Sequence, residues 1–169
     1  MLITIVESPL DAILKLRHEL LRPDRKPEEL VSQADISDMA IHLIATINGQ
    51  TAGMLSAGPE PCPFNPCDNS WRLRGLAVIE SARRRGVATA LLKSVIARSH
   101  AKGARALWGL TRMAAVATHI RLGFETIGEP YEIPPTGPHC STFVRLTDAL
   151  VSLLSHPQRP RNVVGRHCV

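Results

Sequence analysis

The stretch from Trp71 to Leu122 constrains the chain more than any other part of it, because it switches between strand and helix periods in a fixed order. Trp71 to Val78 reads as a strand. Ala88, Leu91, Leu92, Val95, Ile96 and Ser99 then recur at helical spacing, and Gly103 closes that helix. Arg105 to Leu110 is a short apolar run of the buried-strand type, and Ala114 to Leu122 is a second helix. Strands joined by helices need crossover connections. The expected fold is therefore α/β, a mixed central sheet that is parallel where the crossovers fall and is flanked by helices on both faces.

The flanking segments fit such a sheet. Leu2 to Val6 reads as a short strand, and Ser8-Pro9 opens a helix with a hydroxyl N-cap, a proline in the first turn and Asp11 near the positive dipole end. Ile13, Leu16 and Leu20 form its apolar face, and Arg22-Pro23 ends it. Asp24 to Ser37 is a polar loop with room for one helical turn at Pro27 to Val31. Met39, Ile41, Leu43, Ala45 and Ile47 alternate, Asn48-Gly49 makes a tight turn, and Thr51 to Ala57 completes a hairpin. The four prolines between Gly58 and Ser70 make that stretch a surface loop. Glu125 to Ile127 and Ser141 to Leu146 supply further strands, and Asp148 to Ser155 a closing helix.

A chain of 169 residues has length for one domain. It is expected over residues 1–156, followed by a basic, flexible tail at 157–169. With 44% hydrophobic and 21% charged residues, disorder is excluded for most of the chain. No apolar run approaches the roughly 20 residues that cross a bilayer, so no membrane partner is expected. The start lacks the basic flank of a secretory signal, and Cys62, Cys67, Cys140 and Cys168 have no regular spacing, which points to the cytoplasm. The net charge of +5 falls to +2 over residues 1–156, where 17 basic groups face 15 acidic ones. That balance suits a small anionic ligand. Aromatic residues at 4%, with no helix-turn-helix or stacking platform, argue against nucleic acid.

The chemistry concentrates where the strand at Trp71 to Val78 hands over to the long helix. Arg83-Arg84-Arg85-Gly86-Val87-Ala88-Thr89 would put small residues and unpaired N–H groups at a helix N-terminus, a site that receives phosphate oxygens. A solvated arginine loop with a flexible glycine reads the same residues equally well.

In context the pattern resembles the GNAT superfamily of N-acetyltransferases. Arg83-x-x-Gly86-x-Ala88 is similar to its acetyl-CoA pyrophosphate motif, and His119-Ile120-Arg121-Leu122-Gly123-Phe124 to its Y-x-x-x-G-F signature except at the first position. Leu16-Arg17-His18-Glu19-Leu20-Leu21-Arg22-Pro23 resembles the opening of a group of small bacterial members. The resemblance implies that Leu76, Ala77 and Val78 hydrogen-bond the pantetheine arm through the main chain. It implies that Arg84, Arg85, Gly86, Val87, Ala88 and Thr89, with Arg83 beside them, hold the pyrophosphate of acetyl-CoA. Arg112 falls where many members carry an asparagine that touches the pantetheine. His119 replaces the tyrosine that protonates the departing thiolate, and an imidazole can also donate a proton.

The implied reaction is direct attack of an amine on the thioester in a ternary complex, with main-chain donors at Leu76 to Val78 stabilising the oxyanion and His119 or water protonating the sulfur. The strand Trp71 to Val78 carries no carboxylate to act as base, and Glu7, His18, His42 and Glu132 remain open for that role. The missing tyrosine and carboxylate leave an alternative, a catalytically inactive CoA-binding sensor or scaffold. The acceptor is a small-molecule or peptide amine, and a homodimer is compatible with the chain. Arg17, Arg22, Arg74 and Tyr131 are expected near the acceptor, and three arginines favour one bearing a carboxylate or phosphate. The cysteine spacings match no common zinc pattern, and no metal site is assigned.

Overall fold

The computed structural model describes residues 1–156, so the expected basic tail lies outside the described residues. Strict alternation of buried and half-buried side chains makes Ile41–Ile47 (β2) a one-sided strand, paired antiparallel with Ile3–Glu7 (β1) and Gln50–Pro59 (β3). Asn48 and Gly49 both have positive φ, the geometry that a two-residue hairpin of right-twisted strands requires. Ser70–Val78 (β4) continues the antiparallel meander. Ala106–Arg112 (β5), Glu125–Ile133 (β6) and Gly137–Arg145 (β7) complete a seven-stranded sheet in the order β1-β2-β3-β4-β5-β7-β6.

Of the adjacent pairs in that sheet, β4 and β5 are the parallel one, joined by the crossover helix Val87–Ala101 (α2). Two expected crossovers behave differently. Helix Leu10–Leu20 (α1) joins β1 and β2, which are antiparallel neighbours. After α1 the polar stretch, with 3-10 turns at Pro27–Leu30 and Gln33–Ile36, returns the chain to the end of the sheet that it left, where Ser8 N donates to His42 O. Helix Met113–Arg121 (α3) leads from β5 to β6, but β7 intercalates between those strands. Local periodicity cannot show either outcome, because strand order is decided by which edges find partners.

Each face of the sheet has its own cover. Leu43, Ala45 and Leu55 pack against Val87, Leu91, Leu92, Val95 and Ile96 of α2, with Leu122, Phe124 and helix Asp148–Ser155 (α4) on the same side. Met54 and Ala77 point the other way, onto Ile13 of α1. Beyond α1 the stretch 60–69, expected as a surface loop, buries Cys62 and packs Phe64 on Trp108, whose Nε1–H donates to Glu60 O at 2.9 Å. The expected hydroxyl cap of α1 is absent: Pro9 holds the N-cap position and no side chain caps the helix. On that helix Arg17 is buried alongside Ile13, a charged residue on the face expected to be apolar.

Candidate active site

The feature that makes a site is a failure of pairing. β4 and β5 bond only through Ser70–Arg72 and Ala106–Trp108, then diverge. Between them opens a cleft of about 1130 Å³, lined by both strands, by the start of α2, by α3 and by the end of α1. Leu110, expected in a buried strand, is 38% exposed because it faces this gap. β4 also bulges against β3: Arg74 pairs with Ser56 and Ala77 with Met54, leaving Gly75 and Leu76 together opposite Leu55. Gly75 has φ +68°, and a Cβ there would come within 2.9 Å of Arg17 Nε, so the bulge needs glycine on both counts.

One end of the cleft is built from backbone. Gly86, at φ +84°, is the N-cap of α2 and no side chain among the described residues caps the helix; the first helical bond is Ala90 N to Gly86 O. The N–H groups of Val87, Ala88 and Thr89 are thus free to meet an anion, and the helix dipole favours one. A Cβ at Gly86 would find nothing nearer than Ile3 Cδ1 at 4.0 Å, so the approach to this turn is open. Leu76, Ala77, Val78, Arg83, Arg84, Gly86, Val87, Ala88, Thr89 and Arg112 all line the cleft. Arg85 is not among its lining residues: its Nε lies 3.1 Å from Met1 Sδ, turned away by the tight turn that precedes α2.

His119 also lines the cleft, as one of two buried residues of α3, edge-on to Phe124 with ring centroids 4.9 Å apart. Its Nδ1 lies 2.9 Å from Ala115 O. A carbonyl only accepts, so Nδ1 carries the hydrogen and Nε2 of the neutral ring carries the lone pair. Burial pushes the imidazole below its ordinary value of 6.5, more than the Ala115 hydrogen bond raises it, so the neutral form is favoured. A ring in this state accepts at Nε2, and it can give a proton to the departing sulfur only after taking one up there.

The acceptor-side expectations divide. Arg74 and Arg22 line the cleft, and Arg22 is held by Asp24 at 2.7 Å. Arg17 is 3% exposed and does not line it: Nη1 and Nη2 each donate at 2.7 Å to Asp35, a bidentate pair beneath the β4 bulge. Burial would raise the Asp35 carboxyl, but the Arg17 guanidinium and Ser32 together hold it down at about 2. Tyr131 lies just outside the lining, its hydroxyl 3.1 Å from Ser141 Oγ and its ring stacked on His139, which does face the cleft. None of the candidate bases lines it. Glu7 pairs with Arg98, His18 Nδ1 lies 2.6 Å from Arg25 O, His42 is held between Ser56 and Asp35 O, and Glu132 is exposed on β6.

Sequence reasoning missed Asp35, Gly75 and His139. Asp35 is one acid in a stretch that reads as a polar loop, and no sequence motif marks His139. Only the pairing of strands far apart in the chain reveals their positions.

The similarity of the chain to known proteins agrees with this geometry. The model of the acetyltransferase (GNAT) family matches residues 10–124. An uncharacterized N-acetyltransferase of Bacillus subtilis (strain 168), YitI, is 28% identical over 125 residues, covering 74% of this chain and 84% of that protein. The ribosomal-protein-S18-alanine N-acetyltransferase from Escherichia coli superposes with a TM-score of 0.66 at 19% identity, over 86% of this chain and 95% of that one. An aminoglycoside 6'-N-acetyltransferase complexed with coenzyme A gives 0.62 at 15% identity, over 87% and 98%. With a mixed sheet splayed at β4 and β5, an uncapped helix start at one end of the gap and a family match across two-thirds of its length, the chain belongs to the GNAT acetyltransferase family and is a GNAT-type N-acetyltransferase.

Proposed function

We propose that the protein moves an acetyl, or closely related acyl, group from acyl-CoA to a primary amine by direct attack with both substrates in the cleft. The observation that carries this reading is the unpaired β4 edge from Leu73 onward, which runs along the cleft toward the open start of α2. An extended pantetheine arm has amides that can pair with such an edge as a strand would, and a pyrophosphate suits the free N–H groups of Val87 to Thr89. Arg83 and Arg84 flank that end and add charge. The fit is one of chemistry as well as space, since backbone donors left open at both places need acceptors.

In the reaction the amine lone pair forms a C–N bond at the thioester carbon, the C–S bond breaks, and CoA leaves as a thiolate. The proton lost by nitrogen ends on sulfur. Main-chain donors at the β4 bulge are suited to the oxyanion. The neutral His119 ring, with its lone pair on Nε2, is suited to take the proton from nitrogen and pass it to sulfur. It works above its own pKa, which lies below 6.5, so its contribution is lost as pH falls through that lower value. No helix among the described residues is long and apolar enough to cross a membrane, and a cytoplasmic setting, where acetyl-CoA is abundant, suits this donor.

The test is release of free thiol from acetyl-CoA in the presence of a broad panel of amines. Amine-dependent release supports transfer. Tight CoA binding with no release for any amine would support the sensor or scaffold reading instead.

A further inference from the structure

The acceptor side of the cleft holds one more positive charge than its surroundings satisfy. Arg17, Arg72 and Arg74 gather on the α1 side of the sheet with two carboxylates, Asp35 and Glu60. Arg72 is taken up by Glu60 at 2.9 Å and by the Trp108 ring, 5.0 Å from its centroid. Arg17 takes both oxygens of Asp35. Arg74 is left over.

Its nearest carboxylate oxygen, Asp35 Oδ2, is 3.6 Å away, beyond hydrogen-bond reach, and is already engaged. That oxygen accepts from Arg17 Nη1 at 2.7 Å, from Ser32 N at 2.8 Å and from Ser32 Oγ at 2.8 Å, so it has no direction left for a further donor. The Arg74 guanidinium makes no hydrogen bond among the described residues, although the side chain is only 29% exposed and lines the cleft. Burial first, and then the Arg17 charge, pull its pKa down, the mark of a cation set where solvent and neighbours serve it poorly. Across the cleft Arg112 forms no ion pair among the described residues. Glu19 is the acid on this wall, and it is exposed at the end of α1.

We infer that Arg74 anchors an anionic group on the acceptor, a carboxylate or a phosphate, so that the substrate is a small amine carrying its anion close by. The inference rests on the acyl-transfer reading above. Arg74 immediately precedes the Gly75–Leu76 bulge, where the reacting carbonyl is expected, and this adjacency favours a short spacing between amine and anion. An arginine fork with no hydrogen-bond partner, and only a shared carboxylate at 3.6 Å, is well shaped to take two oxygens of one such group. Polyamines and aminoglycosides, which bring only positive charge, would add to the uncompensated guanidinium.

The test compares each amino acid with its own amide, and aminoalkyl phosphates with the matching amino alcohols, by thiol release from acetyl-CoA. The amide has the more easily deprotonated amine, so amine availability alone favours the amide. The inference predicts the opposite order, at least about tenfold in kcat/KM, with the carboxylate and phosphate series telling which anion is meant. Arg74→Gln should raise KM for the anionic member about 10- to 100-fold while its uncharged partner changes little, and Arg74→Lys should restore part of the difference. CoA affinity of both variants, read by calorimetry, should stay that of the parent. Equal use of both members of each pair, preference for polyamines, or equal loss of both members in Arg74→Gln overturns the inference and leaves acyl transfer standing. Absence of CoA binding and of thiol release with every amine overturns the acyl-transfer reading itself.

Discussion

The two walls of the cleft are made of different material. At the donor end the groups that matter belong to the backbone: the edge of β4 and the first turn of α2, left open by a splayed strand pair and an uncapped helix. On the side proposed for the acceptor they are side chains drawn from α1, β4, β5 and β7, with the buried Arg17–Asp35 pair beneath the β4 bulge beside them. Backbone donors are common to every residue, so a donor wall of this kind needs only the right turn and small side chains. The acceptor wall is as specific as the residues that compose it.

This contrast breaks first at Gly86. Glutamate there would have to adopt φ +84° and would set a negative charge against the open N–H groups, so Gly86→Glu should reduce CoA binding below detection by calorimetry while the fold, checked by circular dichroism, persists. Undiminished CoA binding by that variant would move the pyrophosphate site elsewhere. Next in size is Asp35→Asn, which strips Arg17 of its carboxylate in a buried setting and should cost about 3–5 kcal/mol in denaturant unfolding. The Asp35 carboxyl, held at about 2 against an ordinary 3.8, stabilises the fold above 3.8, and that contribution should fade as pH drops from there toward 2. A parent protein whose melting temperature is flat across that acid range, with an unharmed Asn variant, would deny the ion pair its structural part.

His119 stands where the walls meet. His119→Ala should lower turnover about 10²-fold with CoA affinity kept, and His119→Tyr should recover much of the rate. The acid limb assigned to His119, lying below pH 6.5, should vanish in both variants. Loss of CoA affinity together with rate would make the ring a packing residue against Phe124. The smallest effect separates neighbours in the arginine run. Arg84→Ala should weaken CoA about two- to fivefold, less so in high salt, whereas Arg85→Ala, which removes a side chain turned toward Met1, should leave affinity unchanged. Equal effects at both positions would mean that the turn presents its charge as a diffuse cloud.

The same division governs what could be read from the sequence. The donor wall was legible because its parts are contiguous: Leu76 to Val78, the Arg-Gly turn and the start of α2 follow one another within a strand–turn–helix unit whose periods are plain. His119 was legible through its distance from Gly123-Phe124. The other side was legible only in part: Arg22 and Arg74 were expected there and line the cleft, whereas Asp35 and His139 are scattered along the chain and take their places only through strand order. Arg17 was expected at the acceptor and lies buried outside the cleft for a physical reason: its guanidinium is taken by a buried carboxylate 18 positions away, which helical spacing alone does not show. The long β6–β7 hairpin was cut short in the sequence reading because its outer half is polar and mostly exposed, so it lacks the alternation that marks a strand.

Amide hydrogen exchange of the protein with and without CoA tests most directly the claim that the donor is held by backbone. Slowed exchange should be confined to peptides covering Leu76 to Val78 and Val87 to Thr89, with the acceptor-side segments around Asp35 and His139 unchanged. Protection absent from both of those backbone segments, while CoA is bound, would contradict it.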